Sequence, residues 1–192
     1  MQAIIDYVER FVPLTEDDKA LLADSFTRVE IQKRQYIAQP DFTTKYRSYV
    51  LKGAFRSYVV CHKGQEHTIA LAIDDWWISD YNSYIYQQPA TLFVVAIEKS
   101  TVLRIDYETE KRLKASNHRL ETFFRIIAEQ ELAYYQRRMI ANLTLSAEDS
   151  YRRFMRKYPD IAARVPQYAL ASFLGMTTEY LSRLRNRRAS GK

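Results

Sequence analysis

Pro166–Arg188, PQYALASFLGMTTEYLSRLRNRR, is the stretch on which the reading of the whole chain turns. Its first half carries apolar residues at helical spacing and starts on a proline, whose missing N–H suits the first turn of a helix. Gly175 breaks that helix, and Thr177 or Thr178 can cap a second by accepting hydrogen bonds from its free N–H groups. Two short helices joined by a glycine turn are compatible with a helix-turn-helix, whose second helix enters the DNA major groove. Such a crossing needs a small residue on the first helix, and Ala171 stands four positions before Gly175. Leu170, Leu174, Leu181 and Leu184 would form the buried seam. Thr178, Glu179, Ser182, Arg183 and Asn186 would then lie on the opposite, polar face. Taken alone, the stretch also fits an ordinary hairpin of helices with a basic, solvated face.

Charge distribution bears on that choice. The net charge is +6, but residues 1–136 carry −2 and residues 137–192 carry +8. A basic surface confined to the C-terminal quarter is what phosphate binding requires, although RNA or an acidic membrane would satisfy the same argument. With 47% hydrophobic and 14% aromatic residues the chain is globular. No run approaches the length of a membrane span, and MQAIIDYVERF is too acidic for a secretory signal, so a cytoplasmic location without membrane contact is expected. The single cysteine, Cys61, excludes an intrachain disulfide and any multi-cysteine metal site within one chain.

Upstream, residues 2–11 and 16–25 read as two short helices, the second announced by Thr15 with Asp18 three positions on, a variant of the capping box. From Phe26 to Asp106 the texture turns to short β-rich runs: 26–31, 36–38, 47–51, 54–60, 67–73, 92–96 and 100–105. Seven or eight such strands predict a sandwich or jelly roll. Helical pattern resumes at Tyr107–Ala115, and a long helix follows from Ser116–Asn117 to about Leu143. Leu120, Phe124, Ile127, Tyr134, Ala141 and Leu145 share a seam along it, with Glu131 and Arg138 in register, which predicts both packing on the chain's own β-domain and pairing with a second copy. One more helix, 147–158, stops before Pro159.

Helices, β-roll, long helix and basic helix-turn-helix together resemble the Crp/Fnr family of bacterial transcription regulators. YVLKGAFRSY at Tyr49–Tyr58 looks like the family's strand–glycine–strand element, KGQEH at Lys63–His67 like its hairpin, and DDWWISDY at Asp74–Tyr81 like its entry to the ligand cassette. EYLSR at Glu179–Arg183 is similar to the recognition-helix signature. The resemblance implies an α+β chain: a β-roll sensor with flanking helices over 1–116, a dimerisation helix over 117–145 and an all-α helix-turn-helix domain over 146–192. It implies a homodimer that binds palindromic double-stranded DNA and regulates transcription alongside RNA polymerase, with Glu179, Ser182 and Arg183 as base readers. Arginine can pair bidentately with guanine and glutamate can accept from cytosine. Thr177, Thr178, Arg185, Asn186 and Arg187 are expected to make phosphate or flanking contacts.

The family's cyclic-nucleotide cassette is not matched. In place of a glycine–glutamate pair and an arginine with small neighbours stand Ser79–Asp80 and Pro89–Ala90–Thr91, and no arginine lies between Arg56 and Arg104. A buried cyclic phosphate would lack its counter-charge, so the sensor is not expected to bind cyclic AMP. A residual pocket for another effector would involve Trp77, Ser79, Asp80, Ala90 and Thr91. Trp76, Trp77, Tyr81, Tyr84, Tyr86 and Phe93 crowd the same region and are expected to fill it as core. With only Asp160–Val165 between the preceding helix and Pro166, no β-wing is expected there, and a C-terminal domain of three helices is. Neither a nucleophile–base arrangement nor a Gly-rich phosphate loop is present, so no catalytic residue, cofactor or metal is assigned. The competing reading is a cupin-like metal enzyme or small-molecule-binding β-roll with an incidental basic tail, suggested by Glu66 beside His67, with His62 and His118.

Overall fold

In the computed structural model, residues 1–189 are described, with side chains as far as Asn186. Helix α1 (Gln2–Glu9) buries Ile4, Ile5 and Val8 on one stripe. Helix α2 (Glu16–Ser25) starts at a complete capping box: the Thr15 hydroxyl accepts the Asp18 N–H at 3.2 Å, and the Asp18 carboxylate accepts the Thr15 N–H at 2.9 Å. Asn117 and Arg119 donate to the same carboxylate from another part of the chain. The Thr15 N–H is the main influence holding this carboxyl below the ordinary aspartate range, against the opposing effect of burial. A depressed carboxyl stabilises the fold above its unfolded pKa, near 3.9, and that contribution fades as the pH falls through the folded value. Asp18→Ala is therefore expected to cost about 1–2 kcal/mol at neutral pH, with parent and variant urea melts converging in acid.

Eight strands form two antiparallel sheets. β1 (Thr27–Ile31), β2 (Tyr36–Ala38), β3 (Tyr46–Lys52), β4 (Phe55–Val60) and β5 (Glu66–Ala72) come first. A two-residue β6 (Trp77–Ile78), a short helix α3 (Tyr81–Tyr86), β7 (Phe93–Ala96) and β8 (Ser100–Asp106) complete the roll. The orders are β1-β8-β3-β6 and β2-β7-β4-β5. Because successive side chains alternate across a strand, Val50 and Val102 enter the space between the sheets with Phe55, Ala72 and Val94. Their neighbours Tyr49 and Leu103 instead pack with α1, α2 and the helices that follow. Gly53, at φ +128°, joins β3 to β4, and a Cβ there would fall 2.0 Å from the Ser100 hydroxyl. Only glycine fits. The seven runs expected from the sequence are all strands here, within a residue or so at each end. β6 and α3 are additional.

Helix α4 (Tyr107–Ser116) leads to the long α5 (His118–Thr144), whose 27 residues reach about 40 Å. Leu120, Phe124 and Ile127 are buried in the protomer's own core, packed with Tyr49 and Leu103. Farther along, Tyr134, Arg138 and Ala141 line a cleft shared with Phe154, Tyr158 and Phe173. The first part of the seam thus packs on the chain's own core, one of the two uses expected of it. The apolar side chains left outward on α5 are Leu132, Met139, Ile140 and Leu143, between 54% and 80% exposed.

Beyond α5, helices α6 (Ala147–Lys157), α7 (Pro159–Arg164), α8 (Gln167–Phe173) and α9 (Thr178–Ala189) share a core of Tyr151, Phe154, Ile161, Leu170, Leu181 and Leu184, which Leu71 of β5 joins. The expected three-helix domain has a fourth helix, α7. Pro159 stops α6 and serves as the first residue of α7, where an absent N–H costs nothing. Among the described residues no strand follows β8.

Candidate nucleic-acid interface

Helix α8 starts after Pro166 and ends in a Schellman arrangement. The Met176 N–H bonds the Ala171 carbonyl at 3.0 Å and the Gly175 N–H bonds the Ser172 carbonyl at 3.2 Å. Gly175 sits at φ +70°, a left-handed conformation that relieves glycine of strain other residues would carry. The next helix is capped by Thr177, whose hydroxyl accepts the Tyr180 N–H at 3.2 Å. Underneath, Ala171, Leu170, Leu181 and Leu184 are buried, and Leu174 is partly buried against them.

The outward face of α9 carries the chemistry. Thr178, Glu179, Arg183, Arg185 and Asn186 are exposed, as is Thr177, while Ser182 is half-buried. The structure therefore brings Glu179, Ser182 and Arg183 together on one helix, a turn apart. The side chain of Arg187 falls outside the described residues. The Glu179 backbone N–H, followed by the Thr177 hydroxyl, holds the Glu179 carboxyl below its usual range, so it is an ionised acceptor. Arg183 lies over the Tyr180 ring, 5.6 Å from its centre, and is not closed into an ion pair with Glu179. A carboxylate and a guanidinium have the chemistry to pair with cytosine N4 and with guanine O6/N7.

The helix-turn-helix is fastened to the β-roll by three polar links. Ser172 accepts the Thr68 N–H at 2.8 Å and donates to the Glu66 carbonyl at 3.1 Å. Arg138 of α5 donates to the carbonyls of Ile69, Thr68 and Phe173 and stacks on the Phe173 ring. Arg164 pairs with Asp74 at 3.0 Å and with Glu98. Sequence reading placed Arg138 only in the register of the α5 seam and gave Ser172 and Arg164 no role, because each of the three acts on backbone or charge remote in the chain.

No protein-family model matches the chain, and no curated protein matches it in sequence. Solved structures do match it in fold. FixK2 from Bradyrhizobium japonicum aligns with a TM-score of 0.74 at 18% identity, over 86% of this chain and 86% of that one. CLP from Xanthomonas campestris, a c-di-GMP responsive global regulator, gives 0.71 at 14% identity over 90% and 91%. A Eubacterium rectale protein assigned to the crp/fnr family of transcriptional regulators gives 0.68 at 16% identity over 93% and 85%. This is a Crp/Fnr-like fold.

Within the Crp/Fnr-like fold, two cavities lie beneath α5. The larger, about 400 Å³, is lined by Ser79, Asp80 and Thr91, together with Arg47, Tyr81 and Glu131. Asp80 is not available to a ligand: it caps α3 through the Ser83 N–H at 3.0 Å and accepts the Thr91 and Leu92 N–H groups at 2.8 and 2.9 Å. Ala90 is outside this lining, its N–H bonded to the Phe42 carbonyl. Trp77 belongs to the neighbouring cleft of about 280 Å³. The aromatic crowd expected to fill the region separates into three groups. Tyr84 is fully buried and donates to Glu110 at 2.9 Å. Phe93 stacks on Tyr58 elsewhere, and Tyr86 is exposed. Trp76, Trp77 and Tyr81 border open space.

Arg47 was not foreseen. It is 3% exposed, paired with Glu110 at 3.4 Å, and its guanidinium carbon lies 5.0–5.7 Å from the ring centres of Tyr81, Trp77, Phe124 and Tyr84. Its sequence signal is weak, since an arginine in a strand ordinarily reads as solvent-facing.

Proposed function

We propose that this chain is a DNA-binding transcription regulator, not an enzyme, acting in the cytoplasm as a homodimer on an inverted-repeat site. The observation that carries the reading is the α8–Gly175–α9 unit, with leucines buried beneath and Glu179, Arg183 and Arg185 exposed above. The concentration of positive charge in residues 137–192 supports it, as does the fold's likeness to solved transcription regulators. A second copy would cover the outward stripe Leu132, Met139, Ile140 and Leu143, whose spacing at i, i+7, i+8 and i+11 forms one apolar face. RNA polymerase is the further partner in this reading, and the β-roll is its sensor, a role the cavities under α5 would leave room for. Cyclic AMP is a poor fit because the Asp80 carboxylate is committed to backbone N–H groups and the arginine that lines the cavity, Arg47, is already paired with Glu110.

The metal-enzyme reading draws no support from the arrangement. His62, His67 and His118 are all exposed, and among the described residues no three or more His, Cys, Asp or Glu side chains gather as a metal site would require.

Selection from a random duplex library at physiological salt, followed by sequencing, tests the proposal. An enriched inverted repeat with half-site centres about 34 Å apart is the expected result. Failure to enrich any sequence, with and without cell extract, overturns it. On the enriched site, Arg183→Ala should cost about 1–3 kcal/mol and relax preference at one base pair per half-site, as read by competition with single-base variants. Arg185→Ala should instead weaken specific and random DNA alike and reduce the salt slope by about one.

A further inference from the structure

The smaller cleft beneath α5, about 280 Å³, has a composition unlike the rest of the surface. Trp76, Trp77, Tyr81, Tyr134 and Tyr135 line it with the carboxylate of Glu131. Tyr7 of α1 and Tyr158, between α6 and α7, add two more rings, and Asp75 adds a second carboxylate. No lysine or arginine is among its lining residues. All these rings are half-buried, whereas Tyr49 and Tyr84, in the adjoining core, are fully covered. The aromatic packing is therefore incomplete along this one cleft.

We propose that the cleft binds a small organic cation, an amine or quaternary ammonium compound, held over aromatic faces with Glu131 as its counter-charge. A cation near a ring face is attracted by the ring quadrupole, more strongly when both are withdrawn from water. The protein already uses this chemistry next door, where the Arg47 guanidinium sits among Tyr81, Trp77, Tyr84 and Phe124. Arg47 lines the other cavity and has its own carboxylate partner in Glu110. Asp75 is likewise occupied, by the Tyr49 hydroxyl at 2.6 Å and Arg10 at 3.4 Å. Glu131 has no such ion pair. Burial pushes its carboxyl up, while the Tyr81 hydroxyl and the more distant Arg47 pull it down. An incoming cation would supply the missing compensation. An anion would meet the carboxylates of Glu131 and Asp75, the neighbouring cations Arg47 and Arg10 being already paired with Glu110 and Asp75, and a neutral apolar guest would deepen the burial of a carboxylate without pairing it.

The lining residues come from α1, the β5–α3 region, α5 and the α6–α7 junction, so a guest would touch both the β-roll and the helices that carry the helix-turn-helix. Binding itself does not rest on the DNA-binding proposal, and its test uses no DNA.

The full chain is titrated with benzyltrimethylammonium and tetramethylammonium chlorides, followed by tryptophan fluorescence and calorimetry. Sodium chloride at matched ionic strength is the blank and sodium benzoate the anionic comparator. Saturable binding of the ammonium compounds, and none of benzoate, is expected. Glu131→Gln should weaken it by about tenfold or more without altering the circular dichroism spectrum. Tyr135→Phe, which keeps the ring, should bind close to the parent, and Tyr135→Leu should not; this pair decides the matter if Glu131→Gln folds poorly. No response beyond the salt blank, equal binding of benzoate, or undiminished binding by a folded Glu131→Gln overturns the proposal.

Discussion

Asp80→Ala should destabilise the β-roll by about 3 kcal/mol or more, because it strands several buried backbone donors at once. The carboxylate is fully buried, with one oxygen accepting the Ser83 N–H and the other accepting the Thr91 and Leu92 N–H groups. It thereby ties the start of α3 to the segment entering β7 across eleven residues of chain. Asp80→Asn is a sharper probe than it first looks. Asparagine has one acceptor oxygen, so either Ser83 or the Thr91–Leu92 pair must face an NH₂ group, a donor against donors. Both variants should therefore show lowered urea midpoints, with alanine the worse. A change within about 0.5 kcal/mol for Asp80→Ala would mean that solvent or a shifted loop replaces the carboxylate, and the latch would have to be abandoned.

The second large effect belongs to the helix-turn-helix core. Leu181 is fully buried between α8, α9 and the preceding helices, next to Ala171 and Leu170. Truncation to alanine removes packed methyl groups and leaves a cavity, at a cost of about 2–5 kcal/mol. The damage should be local. Residues of this core make up a cluster distinct from the one between the sheets, linked to the roll through Leu71 and Trp76. Hydrogen exchange in Leu181→Ala is thus expected to speed up across α6–α9 while β3, β4 and β8 keep their protection. DNA affinity should fall even though every outward residue of α9 is intact. Uniform loss of protection through the sheets would show that the two cores unfold as one.

Much of this architecture is legible in the sequence because its signals are short-range. Thr15 and Asp18 mark a capping box, Gly175 marks a left-handed turn, and alternating β-rich runs mark strands, each decided by neighbours within a few positions. The less legible features share another cause. Helix α5 carries large apolar side chains nearly all round, among them Phe123, Ile126, Leu132 and Met139 as well as the expected seam. Periodicity finds such a helix but cannot say which stripe meets its own sheet; only the position of Tyr49 and Leu103 does. Pro159 reads equally as a stop and as a start, and here it is both. β6 and α3 are too short to show a period. Glu179, Ser182 and Arg183 could be grouped from the sequence as proposed base readers because they share one helix. The cleft could not be, since its rings and its carboxylate are drawn from segments far apart in the chain.

Ser172 has a further consequence. β5 is the outermost strand of its sheet, with β4 as its only strand neighbour. An open strand edge is a template for pairing with other chains. Here Ser172 accepts from Thr68 N–H and donates to the Glu66 carbonyl, doing with one hydroxyl what the next strand's peptide would do, and Arg138 takes the carbonyls of Thr68 and Ile69. The helix-turn-helix is therefore also the cover of the roll's sticky side. Undocking it, for whatever purpose, would lay bare a seven-residue edge open to pairing, so the contacts that hold α8 against the roll would also guard its sheet against polymerising.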